Sequence, residues 1–378
     1  MPIDRCRVCG REFFDEPRLR YQNMPKAAQN FPDAEAVKTE RGVDLEVRQC
    51  AGCGLVQLSN DPVPYYREVI RASAFSEEMK AYRRGQFSEF LKTYSLVGRR
   101  VLEVGCGRGE YLSLLQEAGA QGYGLEFNEA SVLHCRASGL NAFRGFLENG
   151  QPRLPGAPFD GFFILNFLEH IPDLNTALWQ IHDHLARGGV GLVEVPNFDM
   201  ILQKRLFSEF IGDHLYYFTQ ATLDSTLQRN GFEILDCRET WHDYILSAVV
   251  RKREPIDWSA FCGHQAKLKA DTAAYLRRFE PGRVAVWGAG HQALALIALL
   301  ELSDKIRYVV DSAPFKQDKF TPATHLPVVA PEALDADPVD AVLVMAAAYS
   351  DEVADILRKK FGKNIEIAIF RDFGLEIV

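Results

Sequence analysis

Between residues 99 and 252 the chain alternates short apolar runs with segments whose apolar residues recur every three or four positions. RRVLEVG, GYGLEF, FDGFFILN and GVGLVEVP predict strands, and GEYLSLLQEAG, EASVLHCRASG and LNTALWQIHDHLARGG between them predict helices. Such alternation predicts an α/β fold, a doubly wound parallel sheet with helices on both faces. FEILDCRETW and YILSAVVRK add two strands that finish this unit near residue 252. After the charged stretch KREPIDW a second αβ pattern begins: helix to about 279, RVAVWGAG, helix to about 302, IRYVVD, AVLVMAA, the helix DEVADILRKKF and IEIAIF. Ahead of both, residues 67–95 predict a helix whose apolar face is Val69, Ile70, Phe75, Met79, Tyr82, Phe87, Phe90 and Leu91, and the first sixty residues are rich in turns. The expected division is 1–62, 63–98, 99–252 and 253–378.

At 378 residues the chain is too long for one ordinary core, and its 47% hydrophobic content is ample for several. A net charge of −8 argues against a nucleic-acid coat or an anionic membrane surface as partner. No apolar run approaches a bilayer span, and the polar start MPIDRCRVCG lacks a signal-peptide core, so the expectation is a cytoplasmic protein, monomeric or a small homo-oligomer.

Eight cysteines divide into a tight quartet and four scattered singles, unlike a disulfide framework. In the quartet, Cys6-x-x-Cys9 and Cys50-x-x-Cys53 are each followed by glycine. Two such knuckles present four thiolates to one ion, which is the tetrahedral all-sulfur preference of structural zinc. With every coordination place filled, that metal would hold structure and do no chemistry.

VLEVGCGRGEYL places Glu103, Gly105, Gly107 and Gly109 where the first strand passes into a helix. Glycines there let the backbone approach a ligand, and the helix start supplies free N–H groups. An acid at the end of the next strand, Glu126, stands at the spacing from which a carboxylate reaches ribose hydroxyls. Loop and acid together predict a nucleoside site, with a dinucleotide or an unliganded turn as the alternatives. The pattern resembles class I S-adenosylmethionine-dependent methyltransferases. That resemblance implies that Gly105, Gly107 and Gly109 line the methionine part, that Glu126 holds the ribose, and that Asn166 and Phe167 lie beside the sulfonium.

A sulfonium is already reactive, so the enzyme must chiefly align the acceptor and, where needed, take its proton. Carbon becomes nucleophilic only when a base acts beside a carbonyl and the enolate is stabilised. His170, in NFLEHIPD after the third strand, and His214, in GDHLYYFT beyond the fourth, should both face the cofactor crevice. The remaining histidines read mostly as helix surface or loop.

The whole chain, with its CRVCG and CAGCGLVQL knuckles, central alternating unit and C-terminal VVDSAPFKQDKFTPATHLPV, resembles the sugar C-methyltransferases of deoxysugar biosynthesis. The resemblance implies a zinc-binding module, a class I methyltransferase sheet and a C-terminal Rossmann-like module. It further implies S-adenosylmethionine as cofactor, and methylation of a nucleotide-linked 4-keto-6-deoxysugar at carbon. By that resemblance Asp213 orients His214 as the base, Tyr217 lies on the substrate and His170 assists. The family's Tyr-His-Glu-His run reads Ile211-Gly212-Asp213-His214 here, and Tyr65 and Tyr66 are the phenols that could replace the missing tyrosine.

VAVWGAGHQALAL repeats a glycine loop, with Gly288, Gly290 and Ala293 fitting G-x-G-x-x-A and Asp311 ending the next strand. Read alone it is a dinucleotide site; read with the family it supports the nucleotide end of the substrate, where Lys316, Lys319 and His325 would face a diphosphate. The rival functions are O- or N-methylation of a related substrate, and a zinc-containing scaffold or nucleic-acid adaptor with a silent methyltransferase fold.

Overall fold

The computed structural model describes residues 3–26, 31–68, 76–150 and 152–378. It divides into two compact units, Met1–Pro255 and Ile256–Val378. In chain order the first contains β1 (Leu19–Met24), β2 (Val43–Gln49), β3 (Val56–Leu58), α1 (Glu77–Thr93), β4 (Arg100–Val104), α2 (Glu110–Glu117), β5 (Gln121–Glu126), α3 (Glu129–Ala137) and β6 (Asn141–Arg144). There follow β7 (Phe159–Leu165), α4 (Leu174–His184), β8 (Leu185–Pro196), α5 (Phe198–Lys204), β9 (Tyr216–Tyr217), α6 (Gln220–Arg229), β10 (Phe232–Thr240) and β11 (Ile245–Lys252).

Seven strands form the central sheet in the order β10-β11-β8-β7-β4-β5-β6. β6, β5, β4, β7 and β8 are parallel; β11 returns antiparallel to β8, and the edge strand β10, antiparallel to β11, runs with the others. This is the strand order of the class I methyltransferase fold that the glycine loop predicts. The chain winds outward from β4 to β6 and then crosses to β7, so the order reverses between β4 and β7, where open α/β sheets collect ligands. β7, FDGFFIL, is buried throughout except for half-buried Asp160, as a parallel strand covered on both faces requires. Polar residues after the strands close their loops into helices. Asn128, Asp173 and Asn197 accept hydrogen bonds from Ser131, Thr176 and Met200 N–H, and Thr219 forms a reciprocal cap with Thr222.

The first sixty residues are more regular than their turns suggest. β1, β2 and β3 form an antiparallel sheet that β9 completes, Val56 pairing with Tyr217 and Gln57 with Tyr216. The predicted helix over 67–95 is observed as Glu77–Thr93; Val69, Ile70 and Phe75 lie outside the described residues. The helix predicted through 189 ends at His184, and β8 starts directly after it. His184 is buried, its Nε2 accepting from Leu154 N–H at 2.8 Å, so it belongs to the core and not to a helix surface.

The second unit contains α7 (Ser259–Leu276), β12 (Val284–Trp287), α8 (His291–Leu299), β13 (Ile306–Val310), β14 (Lys319–Phe320), β15 (Pro327–Val329), α9 (Ala333–Ala336), β16 (Ala341–Val344), α10 (Ser350–Phe361), β17 (Glu366–Arg371) and β18 (Gly374–Ile377). Its sheet runs β14-β15-β13-β12-β16-β17-β18, parallel except for the edge strands β14 and β18. Among the described residues no helix is long and apolar enough to cross a membrane.

Candidate active site

The turn after β4 takes a left-handed backbone at all three glycines, with φ of 71° at Gly105, 55° at Gly107 and 89° at Gly109. A Cβ at Gly105 would lie 2.9 Å from the Phe167 ring, so this turn and the turn after β7 need glycine to approach each other. Glu103 is buried within β4 just before the turn. Glu126 ends β5, and its carboxylate accepts from Gly107 N–H at 2.9 Å and Asn128 N–H at 2.8 Å. The acid therefore braces the loop while facing a slot walled by Phe127, Phe146, Leu147 and Phe167. Asn166 has φ 48°, and its Oδ1 is buried with no hydrogen-bond partner among the described residues. An ammonium donor would satisfy it.

Beyond Phe167 a short 3-10 turn, Leu168–His170, carries Glu169 and His170. The rings of His170 and His214 meet edge to face at 4.7 Å. One donor atom each from Glu169, His170 and His214 all lie within 4.8 Å of one another. His170 Nδ1 bonds the backbone carbonyl of Asp213 at 2.8 Å; since a carbonyl only accepts, Nδ1 carries the hydrogen and neutral His170 presents a lone pair at Nε2. Burial pushes the Glu169 carboxyl up to about 8 and pulls His214 down to about 3, the latter with help from His170. His170 is likewise lowered by burial, against the pull of Asp213. Near neutral pH the cluster carries little charge.

Two expectations for the FIGDHLYYFT segment change. Among the described residues no hydrogen bond joins the Asp213 carboxylate to His214; the backbone of Asp213 holds His170 instead. Tyr217 is buried, its ring tilted against Phe210 at 4.6 Å, and its hydroxyl accepts from Ile211 N–H at 3.1 Å. It locks the loop that carries His214 and does not offer a phenol to a substrate. Tyr65 lines a cleft of about 870 Å³ together with Lys26, Asn60 and Gly212, the last of which precedes Asp213 in the chain. Tyr66 faces elsewhere, edge-on to Phe146 at 5.6 Å beside the slot.

The methyltransferase domain family matches residues 77–236, and the C-methyltransferase C-terminal domain family matches residues 252–369. The C-methyltransferase NovU of Streptomyces niveus is 24% identical over 408 residues, spanning 96% of this chain and 94% of that protein. The chain is an S-adenosylmethionine-dependent methyltransferase. A probable S-adenosylmethionine-dependent methyltransferase of Mycolicibacterium smegmatis is 28% identical to it over 167 residues, 44% of this chain and 65% of that one. A crystal structure of a Clostridium acetobutylicum S-adenosylmethionine-dependent methyltransferase covers 50% of this chain and 96% of its own, at 15% identity and a TM-score of 0.39.

The residues are of the kinds this cofactor needs: Glu126 offers a carboxylate, Asn166 an unpaired Oδ1 that an amino group would satisfy, and Phe127, Phe146 and Phe167 aromatic faces, around a slot that the side chains close to about 10 Å³. Arg67, which the sequence did not single out, closes over this slot. Its guanidinium lies 4.9 Å from the Tyr66 ring centroid and 5.6 Å from that of Phe127, and it pairs with Glu148 at 2.6 Å. Glu169 was also missed as a site residue, although its place beside His170 after a parallel strand was the available signal.

The cysteine quartet converges. Cys6 and Cys53 Sγ are 3.7 Å apart, Cys9 and Cys50 Sγ 3.3 Å, and all four sulfurs lie within 4.8 Å of one another. A tetrahedron with metal–sulfur bonds of about 2.3 Å has edges of about 3.8 Å, so the set fits one ion. The Cys6 thiol is drawn down to about 4, chiefly by its hydrogen bond from Cys53. Gln57 Nε2 donates to Cys6 Sγ at 3.1 Å, and Gln57 pairs with Tyr216 in β9, so the knuckles are tied to the strand that follows His214.

In the second unit Gly288 (φ 114°) is forced by the Met345 carbonyl, 2.6 Å from where its Cβ would stand. Asp311 accepts from Ala289 and Ala313 N–H, and Lys316 Nζ adds a bond at 2.9 Å. Lys316 is therefore engaged by its own loop's acid and is not a free cation for a diphosphate. Lys319 bonds the Phe315 carbonyl, and His325 is exposed.

Proposed function

We propose that the methyltransferase alkylates a carbon beside a ketone, in a nucleotide-linked 4-keto-6-deoxysugar, with His214 as the base. The observation that carries this reading is the half-buried His214 against buried His170 and Glu169, the latter two on the turn between Phe167 and Ile171 of the slot wall. An oxygen or nitrogen acceptor gives up its proton easily and has little need of a desolvated base; a C–H group needs one. When bound, S-adenosylmethionine supplies an electrophilic methyl group that leaves sulfur as the acceptor takes it. His214 is neutral and so ready to receive the C–H proton, whose electron pair passes to the ketone oxygen as an enolate. The 870 Å³ cleft beside Gly212 has room for the sugar. Support of the nucleotide by the C-terminal unit is the role implied by the resemblance to the sugar C-methyltransferases; the match of residues 252–369 to the C-methyltransferase C-terminal domain is in keeping with a C-methylating enzyme.

The test is incubation with nucleotide-linked 4-keto-6-deoxyglucose in heavy water, read by mass and NMR. A methyl group on a carbon beside the ketone, with deuterium entering that position in the substrate still unmethylated, is the expected result; a methyl on oxygen or nitrogen sinks the reading. His214→Asn should keep cofactor affinity and lose at least about 100-fold in turnover.

We infer further that the cysteine quartet holds zinc as a structural ion. Metal analysis of the purified chain should give one zinc per chain, and Cys50→Ser should lose both the metal and the protection of β2 and β3 in hydrogen exchange. Metal-free protein with full protection of both strands would rule this out.

A further inference from the structure

The base proposed above has a weakness: a desolvated imidazole with no facing negative charge holds a proton poorly. The adjacent acid does not supply that charge. Burial and His170 act on His214, whereas the charge of Asp213 acts on Glu169 and His170. Glu169 is 1% exposed, and its Oε1 stands 3.9 Å from His170 Nε2. Its Oε2 is buried with no hydrogen-bond partner among the described residues. Its backbone is pinned, the carbonyl accepting from Leu215 N–H at 2.8 Å, directly after His214. A glutamate that served only packing would not leave a carboxyl oxygen unpaired inside a histidine cluster.

We propose that Glu169 is the carboxyl group that sets the basicity of His214: ionised, it holds the proton that His214 draws from the acceptor carbon, and protonated, it leaves the imidazole a poor base. This assignment rests on the carbon-methylation reading and deepens it. Glu169 acts through His214 and is a positioning residue. The proton balance is simple: the C–H bond breaks, its pair stays with the substrate, and the proton rests on His214 opposite the Glu169 carboxylate. The groups facing Glu169 are His170 beside it, Asp213 and His214 on the loop before β9, and Tyr244 on the β10–β11 turn, whose hydroxyl bonds Glu209 at 2.8 Å. With Asp213 charged nearby and no cation among these groups, Glu169 stays protonated up to about pH 8. The base is therefore switched on as pH rises through mildly alkaline values near 8.

The test uses the full chain with S-adenosylhomocysteine and nucleotide-linked 4-keto-6-deoxyglucose, so that deuterium exchange at carbon reports the proton step alone. Wild-type exchange should rise about tenfold per pH unit up to the Glu169 titration and then level off. Glu169→Gln, which keeps the shape of the neutral acid, should show no such rise and fall at least about tenfold below the wild-type plateau, while Glu169→Asp recovers a rise. A Glu169→Gln enzyme with the wild-type profile would overturn the assignment and leave Glu169 a structural acid. If neither protein exchanges deuterium at any pH, it is the carbon-acceptor reading that has failed, and imidazole NMR of the cofactor-bound chain decides Glu169. There the His214 ring signals should inflect near pH 8 in wild type and not in Glu169→Gln; the same behaviour in both proteins overturns the assignment.

Discussion

The methyltransferase builds one arrangement twice: a buried parallel strand, a glycine turn into a helix, and an acid at the end of the next strand. In the first unit Glu126 receives two backbone N–H groups and looks into a slot walled by phenylalanines. In the second, Asp311 receives two backbone N–H groups as well, but Lys316 takes up the same oxygen that Ala289 bonds. The shared part is what spacing dictates, because an acid there satisfies the turn's N–H donors in either unit. The difference lies in the walls: aromatic rings leave the first acid for a ligand, whereas a lysine neutralises the second. Glycine spacing thus marks a strand-to-helix turn, and the side chains around its acid decide whether the turn binds.

Isosteric removal of each charge exposes that difference most strongly. Glu126→Gln should weaken S-adenosylmethionine binding by about 10- to 100-fold, the value of about 1.5–3 kcal/mol for a hydrogen bond to a charged group. Asp311→Asn should leave that affinity within about twofold, since the loss is confined to its own loop and to Lys316. Calorimetry on the two variants measures both. Equal losses would mean that the second loop also serves the cofactor, and the contrast between the loops would collapse.

Much of this was readable beforehand. Parallel strands buried on both faces need continuous apolar runs, so FFIL and VLEV declared themselves, and paired cysteine spacing announced the knuckles. The N-terminal sheet hid because β1, LRYQNM, has no buried residue and β9 is two residues long. Their strand character comes from pairing across the chain, Val56 with Tyr217, which no local pattern records. Asp213 misled for a related reason. The turn that carries Asp213 gives its backbone carbonyl to His170, and no hydrogen bond among the described residues joins its carboxylate to His214, so adjacency in the chain did not make a pair. Glu169 sits with His170 on a tight turn, and the long-range placement of His214 brings the acid into use.

The two units also differ in which way they hold their acids, and stability against pH reads this with the smallest effect. Glu169 is raised by burial, so the folded state prefers it protonated; its contribution is fully present below the unfolded value of 4.5 and is lost as pH rises through about 8. Asp311, although burial opposes it, is lowered by its bonds from Lys316 and the turn; its contribution is present above 3.8 and is lost as pH falls below that value. Glu169→Gln should therefore gain stability relative to wild type as pH rises from 6 to 8, by up to about 1.4 kcal/mol per pH unit, because the amide cannot ionise in the apolar pocket. Asp311→Asn should cost a constant amount over that range and become less costly only in acid. Peptide-resolved hydrogen exchange in urea, corrected for intrinsic rates, follows β7 for the first unit and β12 for the second. If Glu169→Gln tracked wild type at every pH, Glu169 would already be ionised at neutrality, and its pocket would have to be far more polar than a carboxyl oxygen without a partner implies.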